Sequence, residues 1–258
     1  MKYRMRYASY PSLKNTVVLV TGGGAGIGAS IVEHFIAQGS KVAFIDIASK
    51  ESMVLVTMLA DKYGNAPSFI QCDVTDNEAL EDAIAEIHSS LGTVQVLVNN
   101  AGNDERHDFQ DVSSDYWDQR MDVLVKHQFF SAKAVYKGMR QMGGGSIINF
   151  SSTTWLMGEG GYVCYTTAKA AIYGMTRSLA RDFGPANIRV NTVLPGWVMT
   201  ERQLALWVTP ESESEIEKNQ ALKKKLYPDD ISRMVLFLAA DDSAMTTGQS
   251  FVVDGGWV

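Results

Sequence analysis

Residues 16–28 read Thr-Val-Val-Leu-Val-Thr-Gly-Gly-Gly-Ala-Gly-Ile-Gly, and this stretch decides the fold. Its first six residues form a continuous apolar and β-branched run, as expected of a strand covered on both faces. Five of the next seven residues are glycines, and from Gly26 to Gln38 the apolar residues recur at helical spacing. Alone, the glycines could mark no more than a tight loop. Placed after a strand and at the head of a helix, they open a βαβ unit. There they let the backbone turn and approach a pyrophosphate without Cβ interference, while the helix N-terminus offers free N–H groups and a partial positive charge. Gly22, Gly24, Gly26, Ile27 and Gly28 are therefore candidate cofactor contacts.

The same alternation runs to the C-terminus. Short β-rich runs at 16–21, 41–46, 68–72, 94–99, 146–151, 189–194 and 250–254 read as strands. Helical patterns at 26–38, 50–63, 77–90, 115–141, 165–183 and 228–240 separate them. Strand–helix alternation of this kind predicts an α/β fold, a Rossmann-type doubly wound parallel sheet of about seven strands with helices on both faces. No repeat, low-complexity tract or Pro/Ser-rich linker interrupts it, so residues 1–258 read as a single domain. Residues 199–227 break the rhythm. Thr209-Pro210-Glu211 starts a helix with acids in its first turn, and Lys223, Lys224 and Lys225 are placed to complement its far end. This segment reads either as a solvated surface helix or as a lid whose inner face carries Trp197, Leu204, Leu206 and Trp207.

Composition narrows the function. The 258 residues are 46% hydrophobic and 20% charged, enough apolar material for a sizeable core. A net charge of −6 argues against a nucleic-acid partner. Cys72 and Cys164 are too few for a disulfide framework and suit a reducing compartment. No apolar run approaches the roughly 20 residues that cross a bilayer, and the basic start at residues 1–15 lacks the apolar stretch of a secretory signal. The expected setting is cytoplasmic, with a small-molecule partner, no membrane and no metal.

Asp46, followed by Ile47, ends the second strand 18 positions past Gly28. An acid near this spacing accepts hydrogen bonds from the adenosine ribose hydroxyls and repels a 2′-phosphate. It favours NAD over NADP; the other reading is a solvated or capping acid. Tyr165 and Lys169, four residues apart at the head of a helix, share one face, and Ser152 lies 13 residues before Tyr165 at the end of the fifth strand. Open α/β sheets place ligands at that edge. Tyr-x-x-x-Lys is by itself an ordinary helical pair; joined to the glycine turn and Ser152 it becomes a proton-transfer site beside a dinucleotide. A free tyrosine is only about 0.1% ionised at pH 7, and lowering its pKa to 7 takes about 4 kcal/mol. A neighbouring ammonium and a cationic nicotinamide ring both act in that direction.

Taken together, Thr21-Gly22-x-x-x-Gly26-x-Gly28, Asp73, Asn99-Asn100-Ala101-Gly102, Ser152, Tyr165-x-x-x-Lys169 and Pro195-Gly196 resemble the short-chain dehydrogenase/reductase family over essentially the whole chain. The resemblance implies that Tyr165 is the general acid/base, that Lys169 lowers its pKa and holds the nicotinamide ribose, and that Ser152 positions the reacting oxygen. It places Asp73 and Val74 at the adenine, Asn100, Ala101 and Gly102 along the cofactor cleft, and Val198 and Thr200, after Pro195 and Gly196, at the nicotinamide amide. It also implies a homotetramer, packed through helices 115–141 and 165–183.

The chain departs from the family at one position. Where the pattern Trp-Asp-x-x-x-x-x-Asn is usual, Trp117 leads to Leu124. The family asparagine holds a water that links the lysine to a proton relay, and leucine cannot. A rewired relay, a slower enzyme and a cofactor-binding protein with little turnover are all compatible with Leu124.

Asn103-Asp104-Glu105-Arg106-His107-Asp108 forms a polar loop after the fourth strand, either solvated or recognising several hydroxyls. With Ile148-Asn149-Phe150-Ser151-Ser152-x-x-Trp155, it resembles the bacterial aldose 1-dehydrogenases of the family, the D-xylose dehydrogenase type. That resemblance implies NAD-dependent oxidation of a pentose or related aldose at C1 to the lactone. Asn103, Glu105, Ser152, Trp155 and Tyr165 are the candidate substrate residues, with Trp155 and Tyr162 either stacking on the sugar or simply packing. A sugar acid or small keto-ester is the alternative, its carboxylate meeting Arg106, Lys126 or Arg202. His107, His127 and Cys164 read as structural.

Overall fold

The computed structural model describes residues 7–258; residues 1–6, part of the start read as lacking a secretory signal, lie outside them. Seven strands form one parallel sheet: β1 Val17–Thr21, β2 Lys41–Asp46, β3 Ser68–Gln71, β4 Val96–Asn99, β5 Gly145–Phe150, β6 Ile188–Pro195 and β7 Ser250–Val253. Their spatial order is β3-β2-β1-β4-β5-β6-β7. The reversal of direction falls between β1 and β4, so the carboxyl ends of these two strands open the crevice where such sheets bind ligands. Alternation along β1 feeds two cores. Val18 and Val20 pack with Phe35, Phe44, Ile231 and Val235 on one face. Val17 and Leu19 pack with Ile45, Leu80, Ile84 and Ile147 on the other.

The helices are α1 Gly26–Ala37, α2 Ser49–Tyr63, α3 Asn77–Ser90, α4 Ser114–Met121, α5 His127–Met142, α6 Thr154–Met157, α7 Val163–Phe183, α8 Glu201–Leu206, α9 Pro210–Asn219 and α10 Pro228–Ala239. α1 packs on α10 beneath one face, and α3 packs on α5 beneath the other. None of the helices among the described residues is long and apolar enough to cross a membrane.

Two expectations need correcting. The helix read at 115–141 is two helices joined by a π-helical turn over Asp122–Lys126. Such a turn admits an extra residue, and here it carries Leu124 into the interior, fully buried. The helix read as ending in lysines stops at Asn219, before them. Thr209 caps its start through Ser212 N–H. Its end is set by the C-terminus: Gln220 Nε2 donates to Asp254 O at 2.8 Å, and the N–H groups of Ala221 and Leu222 donate to Gly256 O and Gly255 O. Lys223 still reaches the last carbonyls, donating to Glu217 O at 2.6 Å.

Candidate active site

A cleft of about 590 Å³ opens at the carboxyl ends of β1, β2, β4, β5 and β6. One half of it is built from the glycine turn. Gly22 has φ +65°, and a Cβ at Gly28 would stand 1.9 Å from Gly22 O, so only glycine allows the turn to close on the helix. Asn100 Nδ2 donates to Thr21 O at 3.2 Å and Gly22 O at 2.9 Å. Thr21 Oγ1 in return accepts from Asn100 and Ala101 N–H, both at 3.1 Å. The turn after β1 is thereby bolted to the end of β4.

Asp46 lines the cleft with Ile47, Asp73 and Val74. Its Oδ2 accepts from Gly24 N–H at 2.8 Å and its Oδ1 from Ala48 N–H at 2.9 Å, so the carboxylate is fixed in orientation. Asp73 is not the cap of α3, a role taken by Asp76; its Oδ1 accepts from Thr75 N–H at 2.9 Å. Gly22, Gly26, Ile27, Gly28, Asn100, Ala101, Gly102, Pro195, Gly196, Val198 and Thr200 all border the cleft. Gly24 does not; it acts on Asp46 from behind. A glycine cradle ending on an oriented acid fits the pyrophosphate and ribose of a nicotinamide dinucleotide.

Ser152, Tyr165 and Lys169 meet in the other half. Ser151 Oγ donates to Lys169 O at 2.6 Å, which ties the end of β5 to α7 and sets the spacing between Ser152 and Tyr165. Lys169 is buried; its Nζ donates to Phe150 O at 2.8 Å and stands 5.6 Å from the Tyr165 ring centre. Burial, and then the nearby Arg120 guanidinium, lower the Lys169 ammonium to about 7. Desolvation pushes the Tyr165 phenol up to about 12, against the lowering effect of the Ser152 hydroxyl; Asp104 raises it further and Arg120 lowers it. The phenol of the free protein is therefore neutral at pH 7. Desolvation dominates in the free protein, and the lowered value expected from the sequence drew on a cationic nicotinamide ring as well as the lysine.

The sugar-facing candidates separate. Asn103 borders the cleft, with Asp104, Arg106, Glu159, Tyr162, Trp197 and Gln203. Glu105 and Trp155 do not: Glu105 pairs with Arg120 at 3.5 Å, and Trp155 donates to Ser151 Oγ and packs 6.0 Å from Tyr173. Lys126 is also outside the cleft, paired with Asp122 at 3.1 Å. Of the four apolar residues given to the lid, Trp197 and Trp207 face Arg106, at 5.8 and 4.4 Å, whereas Leu204 and Leu206 are exposed. α8 is tied to the polar loop, since Gln203 Nε2 donates to Asp104 Oδ2 at 2.7 Å and Trp197 Nε1 donates to Gln203 Oε1 at 3.0 Å. Gln203, Glu159 and Arg120 carried no signal in the sequence, because a lone polar residue on a short helix or loop looks solvated until its neighbours are known.

Leu124 lies beside the lysine. A Cβ at Gly102 would meet Leu124 Cδ2 at 3.0 Å and Lys169 Nζ at 3.8 Å. The leucine thus presents methyl groups to the neighbourhood of the ammonium, while its carbonyl accepts from Gln128 Nε2 at 3.1 Å. His127, one turn on, is fully buried, and burial together with Lys169 lowers it to about 3, so it stays neutral.

The chain belongs to the short-chain dehydrogenase/reductase family, and a family model described as enoyl-(acyl carrier protein) reductase matches residues 22–258. It is an oxidoreductase of a family that uses nicotinamide cofactors. It is 47% identical to the probable galactose dehydrogenase of Rhizobium meliloti (strain 1021), over 96% of this chain and 97% of the relative. It is also 47% identical to D-xylose 1-dehydrogenase of Caulobacter vibrioides, over 98% of this chain and 100% of the relative. A short-chain type dehydrogenase/reductase from Mycobacterium ulcerans superposes with a TM-score of 0.90 at 26% identity, covering 97% of this chain and 91% of that one.

Proposed function

We propose that this protein oxidises a pentose or related aldose at C1 to the lactone, with NAD as hydride acceptor and Tyr165 as base. The observation that carries the reading is the convergence of Ser152, Tyr165 and Lys169 on one end of a cleft whose other end is a glycine cradle closed by Asp46. The relatives named for xylose and galactose support a sugar as substrate. When bound, a nicotinamide dinucleotide would supply the hydride acceptor and, in its oxidised form, a positive charge that the hydride cancels. Gly22, Gly26 and Gly28 hold the pyrophosphate, Asp46 takes the ribose hydroxyls, and Asp73 with Val74 flanks the adenine. Pro195, Gly196, Val198 and Thr200 border the nicotinamide end. Ser152 orients the anomeric oxygen by hydrogen bonding, Tyr165 removes its proton, and Lys169 holds the second ribose and favours the phenolate. Asn103 faces the sugar hydroxyls, and residues 199–227 form the lid, tied down through Gln203 and Asp104. The chain is further proposed to be cytoplasmic and tetrameric, with the exposed Trp117, Phe129 and Val163 covered between subunits.

A panel of aldoses, assayed with NAD and NADP in parallel, tests the reading; turnover of a non-sugar alcohol with none of any sugar overturns the substrate. Asp46→Ala is expected to weaken NAD about 10–100-fold, because charge-assisted hydrogen bonds contribute about 1.5–3 kcal/mol. Its NADP affinity should fall less, or rise, since the repelling carboxylate is gone. Equal losses for both cofactors would place the selectivity elsewhere.

Leu124→Asn puts an amide beside Lys169. It is expected to raise kcat for oxidation by about threefold or more, as a proton path opens, while costing about 1–3 kcal/mol of stability for the buried polar group. An unchanged kcat with normal folding would show that the proton already leaves by another path.

One observation favours a second reading, a sugar acid. Arg202 is paired with Asp104 at 3.7 Å and Arg120 with Glu105, yet Arg106 makes no ion pair among the described residues and is held among Trp207, Trp197 and Tyr162. Competitive inhibition of aldose oxidation by aldonates or uronates, stronger than by neutral polyols, supports it.

A further inference from the structure

Arg120 is one of the few buried charges among the described residues, 3% exposed, on a helix whose other charged residues face outward. Its Nη2 donates to Asn103 O at 2.7 Å and to Asn103 Oδ1 at 2.8 Å, and its Nη1 reaches Glu105 Oε2 at 3.5 Å. Its Nε is buried without a partner. An arginine fork is suited to this work, because one planar group grips a backbone carbonyl, an amide and a carboxylate together. The grip fixes Asn103, whose neighbour Asp104 receives Gln203 from α8. A single side chain on α4 thus sets the loop that borders the sugar end of the cleft.

The charge matters as well as the grip. α4 packs on α7, and the guanidinium acts electrostatically on both Tyr165 and Lys169. Other charged or titratable groups that line this part of the cleft are Asp104 and Arg106 from the polar loop, Glu159 and Tyr162 from the β5–α7 connection, Glu201 and Arg202 from α8, and Lys169 on the helix of Tyr165; Cys164 lies on that helix too, Glu105 pairs with Arg120, His107 packs on Tyr116, and Lys169 acts on His127 of α5. Lys169 can lose its proton near neutrality, whereas a guanidinium does not. Above pH 7, Arg120 is therefore the cation of the pair that persists.

We propose that Arg120 is a positioning residue that clamps the loop at residues 103–105 over the sugar end of the cleft and holds a permanent positive charge on the helix packed against the one that carries Tyr165 and Lys169. The proposal rests on Tyr165 acting as the base, as given above. Its sign is definite. A fixed cation favours the phenolate, so its removal moves the rising limb of kcat/KM to higher pH.

The test uses the full-length protein and three variants, with NAD and the best sugar of the panel. Arg120→Gln removes the charge and is expected to move the limb up by about one pH unit and to raise KM for the sugar about tenfold. Arg120→Lys keeps the charge but loses the fork, so KM should rise while the limb stays within a few tenths of a unit. Glu105→Gln, on the exposed partner, keeps Arg120 and removes its counter-charge, so the limb should move to lower pH; this variant carries the test if Arg120→Gln does not fold. Ultraviolet difference titration of each protein against its Tyr165→Phe counterpart follows the phenol without turnover. A failed sugar assay therefore sinks the substrate reading alone, whereas an unmoved phenol titration in both Arg120→Gln and Glu105→Gln overturns the charge. A sugar KM unchanged in Arg120→Lys overturns the clamp.

Discussion

Tyr165→Phe is expected to lower kcat for sugar oxidation roughly 10³-fold, the scale of a lost general base. NAD affinity should stay within about threefold of wild type, because the aromatic ring and its packing 6.0 Å from Tyr162 are retained. The size of the effect follows from the site. The phenol is pushed up to about 12 in the free protein, where the Ser152 hydroxyl and the Arg120 guanidinium pull it down, and in the proposed reaction the positive charge of the bound cofactor adds to them. Phe offers no oxygen to ionise, so no combination of those groups can substitute. The wild-type kcat/KM should rise with pH as the phenolate fraction grows, and this limb should vanish in the variant. Turnover within threefold of wild type would remove Tyr165 from the chemistry.

Gly28→Ala should be nearly as damaging by a different route. The added Cβ would stand 1.9 Å from Gly22 O and 2.8 Å from Asn100 Nδ2, and the first contact is with backbone that has nowhere to move. Either α1 withdraws from the turn or the turn opens, and both enlarge the gap between the helix N–H groups and a bound pyrophosphate. We expect NAD binding to weaken by about 100-fold, equivalent to some 2.7 kcal/mol. Overpacking should also cost up to about 3 kcal/mol of stability, a drop in Tm of roughly 6–12 °C for a domain of this size. Calorimetric titration and a thermal melt report the two effects separately. Full NAD affinity in Gly28→Ala would mean that the cofactor does not use this turn.

Most of the seven strands were legible as short apolar runs, β1, β4 and β5 being buried almost throughout, while the half-buried edge strands β3 and β7 were marked by Phe69-Ile70 and Phe251-Val252-Val253. The bounds of α3, and the start of α9 at Pro210, were equally plain, since a capping residue and proline act through their immediate neighbours. The glycine turn and the oriented Asp46 at the cleft were readable for a similar reason: backbone chemistry at glycine and the end of β2 is local. The π turn at Asp122–Lys126 was not, because a helix register shift leaves the apolar spacing almost unchanged and is decided by what Leu124 packs against.

The other end of the cleft divides along the same line. From the chain alone came the polar character of the loop after β4 and the presence of Ser152, Tyr165 and Lys169, all properties of residue type and spacing. The tertiary structure decided which loop residues face inward. It turned Glu105 toward Arg120 and Trp155 toward Tyr173, and it left Asn103, Asp104 and Arg106 in the cleft. It also decided the protonation of the phenol, because desolvation depends on every element packed around a group and not on its neighbours in the chain.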